Sequence, residues 1–424
     1  MLKNKKVIIV GAGIAGAAAA WHLQRLGIEV CVLEGRNRVG GRIHTDESWG
    51  FPIELGANWL HHTPHSLENH VKRLRLRTQR TNYNKITAFD HEQRAISMFR
   101  LFFMNYKFAN AVRKSLKFLQ SEKEDISLQD LIQKFMPRDK YSFKNQQAFS
   151  LIEQAYENGL AASLNNISAR SFFASEGATL GRDLLVYGGF GRVVEQLLAG
   201  VDLHLNTTVK EIRQSSGFVE VVTSEKTFTA DFVIVTLPLG VLKSEAVLFS
   251  EPLPPEKLHA IESLRSGVMN KIIMEFEEKF WTTNNDFIVF LGDFYRNRGI
   301  LLNYHAYTGK PVLVALPVHD AAIALERQGV QKIQQYWQDA LHKAYPRRNI
   351  HFRRITASRW HGDIFSLGSY VHLPVGVPPQ TPEILAAPFG RICFAGEATI
   401  SHFHSTTHGA YVSGIREAER ILGL

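Results

Sequence analysis

The sequence predicts an α/β fold: a doubly wound parallel sheet, with an α+β domain inserted into it at two places. Three observations carry this reading. Residues 7–42 run strand, glycine turn, helix, strand and acid in that order. Residues 391–424 return to a strand, a loop and a helix. Between them lie a helix-rich stretch, a block of strands at 184–242 and a second mixed stretch.

The first strand is a four-residue apolar run, Val7 to Val10, bounded at once by glycine, the mark of a strand buried on both faces. Gly11, Gly13 and Gly16 follow in G-x-G-x-x-G spacing and open an Ala-rich helix that Gly27 ends. A second strand, 29–33, delivers Glu34. Each part suits a dinucleotide. Gly11 allows the tight turn, Gly13 lets the backbone approach a pyrophosphate, and Gly16 lets the helix lie close on the strand. The helix N-terminus presents free N–H groups to the phosphates, and Glu34 can accept from ribose hydroxyls. Just beyond, Arg36, Arg38, Gly40, Gly41 and Arg42 complete the string RVGGR, which resembles the second fingerprint of the flavoprotein oxidase superfamily. There the glycine pair brings backbone to the flavin side, and Arg42 offsets pyrophosphate charge through its planar fork. The cofactor expected is therefore FAD, on a Rossmann-like, glutathione-reductase-type domain. A basic surface loop is the plainer reading of Arg38.

The 424 residues exceed what one ordinary core organises, so two domains are expected. Composition is globular, 45% hydrophobic and 21% charged, and the formal net charge is +9. Such a balance suits nucleic-acid or membrane surfaces. The basic residues are nevertheless spread out, apart from KRLRLRTQR at 72–80, which reads as a solvated helix face. Neither nucleic acid nor membrane is expected as a partner, and any cation site must be locally acidic or aromatic. Cys31 and Cys393 lie in apolar runs, so buried thiols and a reducing compartment are expected. MLKNKK followed by VIIVGAGIAGAAAA imitates a signal peptide, but the glycine turn explains the same residues. With no other run of about 18 apolar residues, a cytoplasmic location is the expectation.

Residues 83–160 read as mostly helical, and the aromatic run MFRLFFMNYKF within them as core or domain packing. Ser215 to Gly217 signals a hairpin turn, Pro238 closes the strand before it, and a helix falls near 330–345. The ends and the middle (1–80, 184–255 and 386–424) would build the nucleotide-binding domain. The insertions (81–183 and 256–385) would build a substrate-binding domain, with a pocket at the interface. In the last block Gly396 ends the strand, and Glu397 can bond a ribityl hydroxyl. The final helix begins near Thr406 and Thr407, and its small residues Gly409, Ala410 and Gly414 permit close approach to a planar ring. A helix N-terminus beside the flavin N1 and C2=O would stabilise the reduced anion.

These strings occur with others in one order: ELGANWLHH at 54–62, GGFGR at 188–192, TLPLGVLK at 236–243, MNKIIMEF at 269–276, then SRW and GSY within 358–370. Together they resemble the flavin-dependent amine oxidases, a family that includes polyamine oxidases, monoamine oxidases and flavin-type lysine demethylases. The resemblance spans nearly the whole chain and is thinnest over 83–180.

It implies roles residue by residue. Lys271, in an apolar strand-like run where an exposed face position is equally open from the pattern alone, matches the family lysine that holds a water at flavin N5. Trp360 and Tyr370 match aromatics near the flavin, with Tyr370 one wall of a cage that receives the amine. Thr406 stands where monoamine oxidases carry the second cage tyrosine. Ser369 stands where they carry the flavin-linked cysteine, so FAD is expected to be non-covalent. His61 matches a substrate-binding histidine of some polyamine oxidases, and Phe403 joins the substrate set. Further cofactor contacts are implied at Ala15, Gly56, Ala57, Asn58, Trp59, Val209, Trp360, Gly396, Thr406 and Thr407. No metal is expected: His61 and His62 are adjacent and diverge, and His402, His404 and His408 fit a loop entering a helix. Glu157 and Glu176 are the candidates for an acidic substrate residue.

The expected reaction oxidises an amine C–N bond to an imine, with O2 as acceptor and hydrogen peroxide as product. The amine reacts neutral, so the rate should rise with pH through an amine pKa. Alternatives are a desaturase or dehydrogenase of the same superfamily, a monoamine or L-amino-acid oxidase, and a non-catalytic FAD-binding effector.

Overall fold

The computed structural model describes residues 5–61, 67–90, 92, 94–121, 124–175, 183–292 and 298–423. Its first sheet is parallel throughout, in the order Ile392–Phe394, Phe232–Val235, Lys6–Val10, Glu29–Leu33, Asp202–His204. Strands from three distant stretches of chain thus lie side by side. The central strand is apolar at every position from Val7 because both its faces are covered. Val7, Ile9, Val30 and Val32 pack under helices Ile14–Arg25, Gly191–Leu197 and Thr407–Leu422. Ile8, Val10, Cys31 and Leu33 pack on the opposite side against Val209, Ile212, Val219 and Val221.

Those last four belong to a four-stranded sheet in the order Thr227–Ala230, Val219–Thr223, Val209–Gln214, Leu248–Phe249. A doubly wound sheet carries crossover helices on both faces. Here the second face is covered mainly by this sheet, with helices Pro255–Ser263 and Thr381–Ala386 beside it. The cause is local: the chain leaving Asp202–His204 turns through antiparallel hairpins, with Ser215 N–H donating to the Phe218 carbonyl at the expected turn.

A second sheet has six strands in the order Phe352–Ala357, Ile272–Phe276, Val312–Ala315, Ile300–Asn303, Phe287–Phe290, Ile86–Phe89. It is antiparallel except for the last pair. One face (Ile273, Val289, Leu302, Val314) packs on the helical segment Met98–Ser121, Leu128–Phe135 and Phe143–Leu160. The other (Ile272, Met274, Ile288, Leu313) packs on helix Gly329–Ala344 through Trp337.

Two expectations need correcting. The run 98–108 is core only on one stripe, Leu101 and Phe108, while Phe99, Phe102, Phe103 and Tyr106 are exposed, because the helix packs on one side alone. The basic cluster 72–80 is not one helix face: helix Leu67–Arg73 ends, Arg75 takes φ +52°, and Thr78–Arg80 is a strand. Cys31 and Cys393 are free and buried. No helix among the described residues is long and apolar enough to cross a membrane.

Candidate active site

A cavity of about 510 Å³ runs from the first glycine turn to the start of the strand Ile272–Phe276. Gly11, Gly13, Ala15, Glu34, Arg36, Gly41, Arg42 and Val209 line it, with Gly396, Glu397, Thr406 and Thr407. So do Gly56, Ala57, Asn58, Trp59, His61, Lys271, Trp360 and Tyr370. Residues spread over the whole sequence therefore share one space. Gly16 and Phe403 stand apart from it.

The glycine turn is sterically demanded. Gly11 has φ +107°, and a Cβ there would lie 2.5 Å from Thr236 Oγ1. A Cβ on Gly16 would lie 2.0 Å from the Gly11 carbonyl, so Gly16 acts through helix-on-strand packing rather than by lining the cavity. The second glycine pair sits directly on the first turn: Gly40 N–H donates to the Ala12 carbonyl, and Gly13 and Gly40 form a parallel bridge. Gly414 corrects the ring-approach expectation for the final helix. Its Cβ would lie 2.1 Å from the Ala15 carbonyl, so it serves helix-on-helix contact, and Gly409 meets the Phe403 carbonyl in the same way. Ala410 does line the cavity.

Charged groups fasten the loops. Glu34 is buried and accepts from Ala12 N–H at 2.8 Å and Arg36 N–H at 2.9 Å. Arg36 pairs with Asp363 at 2.6 Å and donates to Ser366 at 2.8 Å, while its buried Nε has no partner among the described residues. Arg38 is no free surface residue: it folds back on the carbonyls of Val39, Gly41 and Ile43, and burial lowers its pKa to about 10. Arg42 donates to Glu397 at 2.8 Å and to the Ser369 carbonyl at 2.7 Å, and Glu397 also accepts from Val371 N–H at 3.1 Å. Thr406 caps the final helix, accepting from Gly409 N–H at 2.9 Å. Next to it, buried Thr407 Oγ1 lines the cavity with no partner among the described residues.

At the far end, Lys271 is buried one residue before its strand. Its Nζ donates to Asn58 Oδ1 at 2.6 Å and lies 5.5 Å from the Trp59 ring centre. Burial pushes the ammonium pKa down, and the charge of Glu54 pulls it back up. Burial likewise pushes the Glu54 carboxyl up, against hydrogen bonds from Phe190 N–H at 2.9 Å and Thr45 Oγ1 at 2.7 Å. Trp360 donates to the Leu55 carbonyl at 3.2 Å. The Tyr370 hydroxyl lies 3.2 Å from the carbonyls of Asn158 and Gly159, and burial pushes its pKa up. Ser369 Oγ donates to the Met269 carbonyl and accepts from Met269 N–H, both at 2.8 Å.

A side chamber of about 130 Å³ shares His61, Gly159, Ser405 and Thr406 with the main cavity. Phe403 lines this chamber, its ring edge-on to His408. His61 pairs with Asp183 at 3.1 Å, and Tyr83 donates to the same carboxylate at 2.6 Å. Asp183 lines neither cavity itself but stands behind His61, and nothing in its local sequence pattern marks it. Glu157 accepts from Leu164 N–H and does not line the cavity, and Glu176 and His62 lie outside the described residues. One group of donor side chains among the described residues could hold a metal: Cys31, Asp202 and His204, within 4.8 Å of one another. Burial and the nearby Asp202 charge push that thiol up to about 12.

A parallel sheet with paired glycine turns, opening on a cavity that reaches a buried lysine, is the architecture of a cofactor-dependent oxidoreductase. The chain belongs to the flavin containing amine oxidoreductase family, whose model matches residues 14–422. It is therefore a flavoenzyme acting on amines. It is similar to polyamine oxidase 3 of Oryza sativa subsp. japonica, at 34% identity over 97% of this chain and 88% of that protein. Polyamine oxidase 2 of Arabidopsis thaliana is 32% identical over 98% of this chain and 88% of its own length. Lysine-specific histone demethylase 1 homolog 2 of Arabidopsis thaliana is 31% identical over 98% of this chain, which spans 58% of that protein.

Proposed function

We propose that the chain binds FAD non-covalently along the 510 Å³ cavity and oxidises a polyamine, or a related secondary amine, at a C–N bond. The observation that carries this is Lys271, a buried amine on the cavity wall. The residues present fit the cofactor. Thr407 Oγ1 and Arg36 Nε, without partners among the described residues, offer donors along the cavity's course, and the Gly11 turn leaves no room for a side chain. Ser369 carries no thiol and so cannot itself form a thioether to the ring, which supports non-covalent binding. In this reading residues 1–80, 184–255 and 386–424 hold the cofactor and the two insertions shape the amine site. Bound FAD would supply the two-electron acceptor, dioxygen would leave as hydrogen peroxide, and hydrolysis of the imine would give an aldehyde and an amine.

The chain's own groups divide the remaining work. Asn58 holds Lys271 Nζ, leaving other N–H donors for a water in the cavity. Burial depresses the lysine charge, which lowers repulsion of a cationic substrate, while Glu54 limits that depression. Trp360 and Tyr370 supply ring faces for an amine. Asp183, held by Tyr83 and His61, places a carboxylate behind the His61 wall, where a second ammonium group would be attracted.

The test is Lys271→Met in anaerobic and aerobic stopped flow. Removing a positioned proton-handling group costs at least about a hundredfold, so flavin reduction, reoxidation or both should slow to that extent. Unchanged rates in both half-reactions would remove the role. A parallel bleaching screen over spermine, spermidine, acetylated polyamines, tyramine and L-amino acids identifies the amine, and bleaching by none would overturn the proposal.

A further inference from the structure

We propose that helix Met98–Ser121 docks the protein on the surface of an anionic lipid bilayer. The helix has 24 residues and two stripes of opposite use. Leu101, Phe108, Ala111 and Ser115 are buried against the second core. Phe99, Phe102, Phe103 and Tyr106, spaced i, i+3, i+4 and i+7, form an outer stripe exposed by 79%, 72%, 39% and 62%. The same helical spacing carries the outer stripe on to Arg113, Lys114 and Lys117, all exposed.

Charge decides what covers this face. The helix holds five cations (Arg100, Lys107, Arg113, Lys114 and Lys117) and no Asp or Glu. Lys107 Nζ lies 4.9 Å from the Phe103 ring centre and 5.0 Å from that of Tyr141, so cation and aromatic surface are interleaved. Four contiguous exposed aromatics mark an interaction surface rather than an ordinary solvated one. A second copy is disfavoured, because two such helices face to face would bring ten cations together on chains already at +9. An anionic bilayer satisfies both halves: rings enter the headgroup boundary while lysine and arginine meet lipid phosphates.

The docked face stands one helix behind the cavity. The Phe108 ring packs 5.0 Å from that of Tyr156 in helix Phe143–Leu160, and Leu151, Ala155 and Asn158 of that helix line the cavity. Docking would therefore hold the amine site at a membrane surface without requiring a spanning helix.

Flavin-loaded protein is sedimented with vesicles of phosphatidylcholine alone, and of phosphatidylcholine and phosphatidylglycerol in equal parts, at low and high salt. Binding is expected only to the anionic vesicles, and weaker at high salt. Arg113→Gln, Lys114→Gln and Lys117→Gln together should weaken it by roughly a hundredfold, about fivefold per cation. Phe99→Ser, Phe102→Ser and Tyr106→Ser together should abolish it. Amine oxidation in vesicle-free buffer should be unchanged in both variants. The inference is overturned if the wild type ignores anionic vesicles or if binding survives both variants. It is equally overturned if light scattering shows a dimer that the serine variant dissociates, which would assign the face to a second copy.

Discussion

Replacing Arg42 with Met should destabilise the cofactor site by an amount the geometry sets. Arg42 joins the second glycine turn to Glu397 at 2.8 Å and to the Ser369 carbonyl at 2.7 Å. The Glu397 side chain is 7% exposed and that of Arg42 23%, so the pair is largely shielded from water. Without the guanidinium, a buried carboxylate keeps Val371 N–H at 3.1 Å as its donor. Stranding one member of a buried pair costs about 3–5 kcal/mol, and partial exposure of Arg42 argues for the lower figure. At about 2.1 cal/mol/K per residue, 424 residues unfold with roughly 0.9 kcal/mol/K of entropy, so about 3 kcal/mol lowers the melting temperature by some 3–4 °C. Adding Glu397→Gln to Arg42→Met removes the stranded charge and should restore part of that loss. Fluorimetric melts of the flavin-free protein measure the cycle, and flavin retention on gel filtration gives a second readout. A single variant melting within about 1 °C of wild type, or a double variant melting below the single one, would refute the reasoning.

Two further predictions concern packing and pH. Gly414→Ala forces a Cβ to 2.1 Å from the Ala15 carbonyl. Overpacking of about 1–3 kcal/mol should exceed the roughly 1 kcal/mol gained in helix propensity, so the variant should melt lower and release flavin more readily; a more stable variant would contradict the close approach. His372 is buried, and burial, with His319, Arg265, His404 and Lys243 adding positive charge nearby, lowers its pKa from 6.5 to about 4. A folded-state pKa below the unfolded one means the stability is present above pH 6.5 and is lost as pH falls toward 4. The loss is about 3 kcal/mol at 1.36 kcal/mol per unit. His372→Gln should flatten melting temperature against pH over that window, and an equally steep profile in the variant would exclude His372 as the cause.

The parts legible in the sequence are those set by short-range sterics. Gly11 is readable because its φ of +107° favours glycine whatever surrounds it, and Gly16 because its clash is with the Gly11 carbonyl in the same turn. Lys271 is ambiguous from pattern because Ile272–Phe276 is buried on both faces, which erases the alternation that would reveal a side chain's direction. Glu54 and Asp183 escape notice because their partners, Lys271 and His61, are more than a hundred residues away in sequence. The aromatic helix misleads for another reason: its composition does not distinguish a stripe that packs from one that faces water.

The parallel sheet also dictates when the protein can begin to work. Its strand Ile392–Phe394 pairs with Phe232–Val235, which in turn pairs with Lys6–Val10. The helix that packs over the one opened by the first glycine turn is Thr407–Leu422, with Gly414 against the Ala15 carbonyl. A ribosome that has reached residue 390 has made most of the cofactor cradle, but neither its edge strand nor that helix. Until then the Phe232–Val235 edge is open to any passing strand, and such edges invite aggregation. Flavin capture is thereby postponed until residues 392–422 have been made, and chains stalled short of that point would emerge as sticky, colourless protein for quality control to remove.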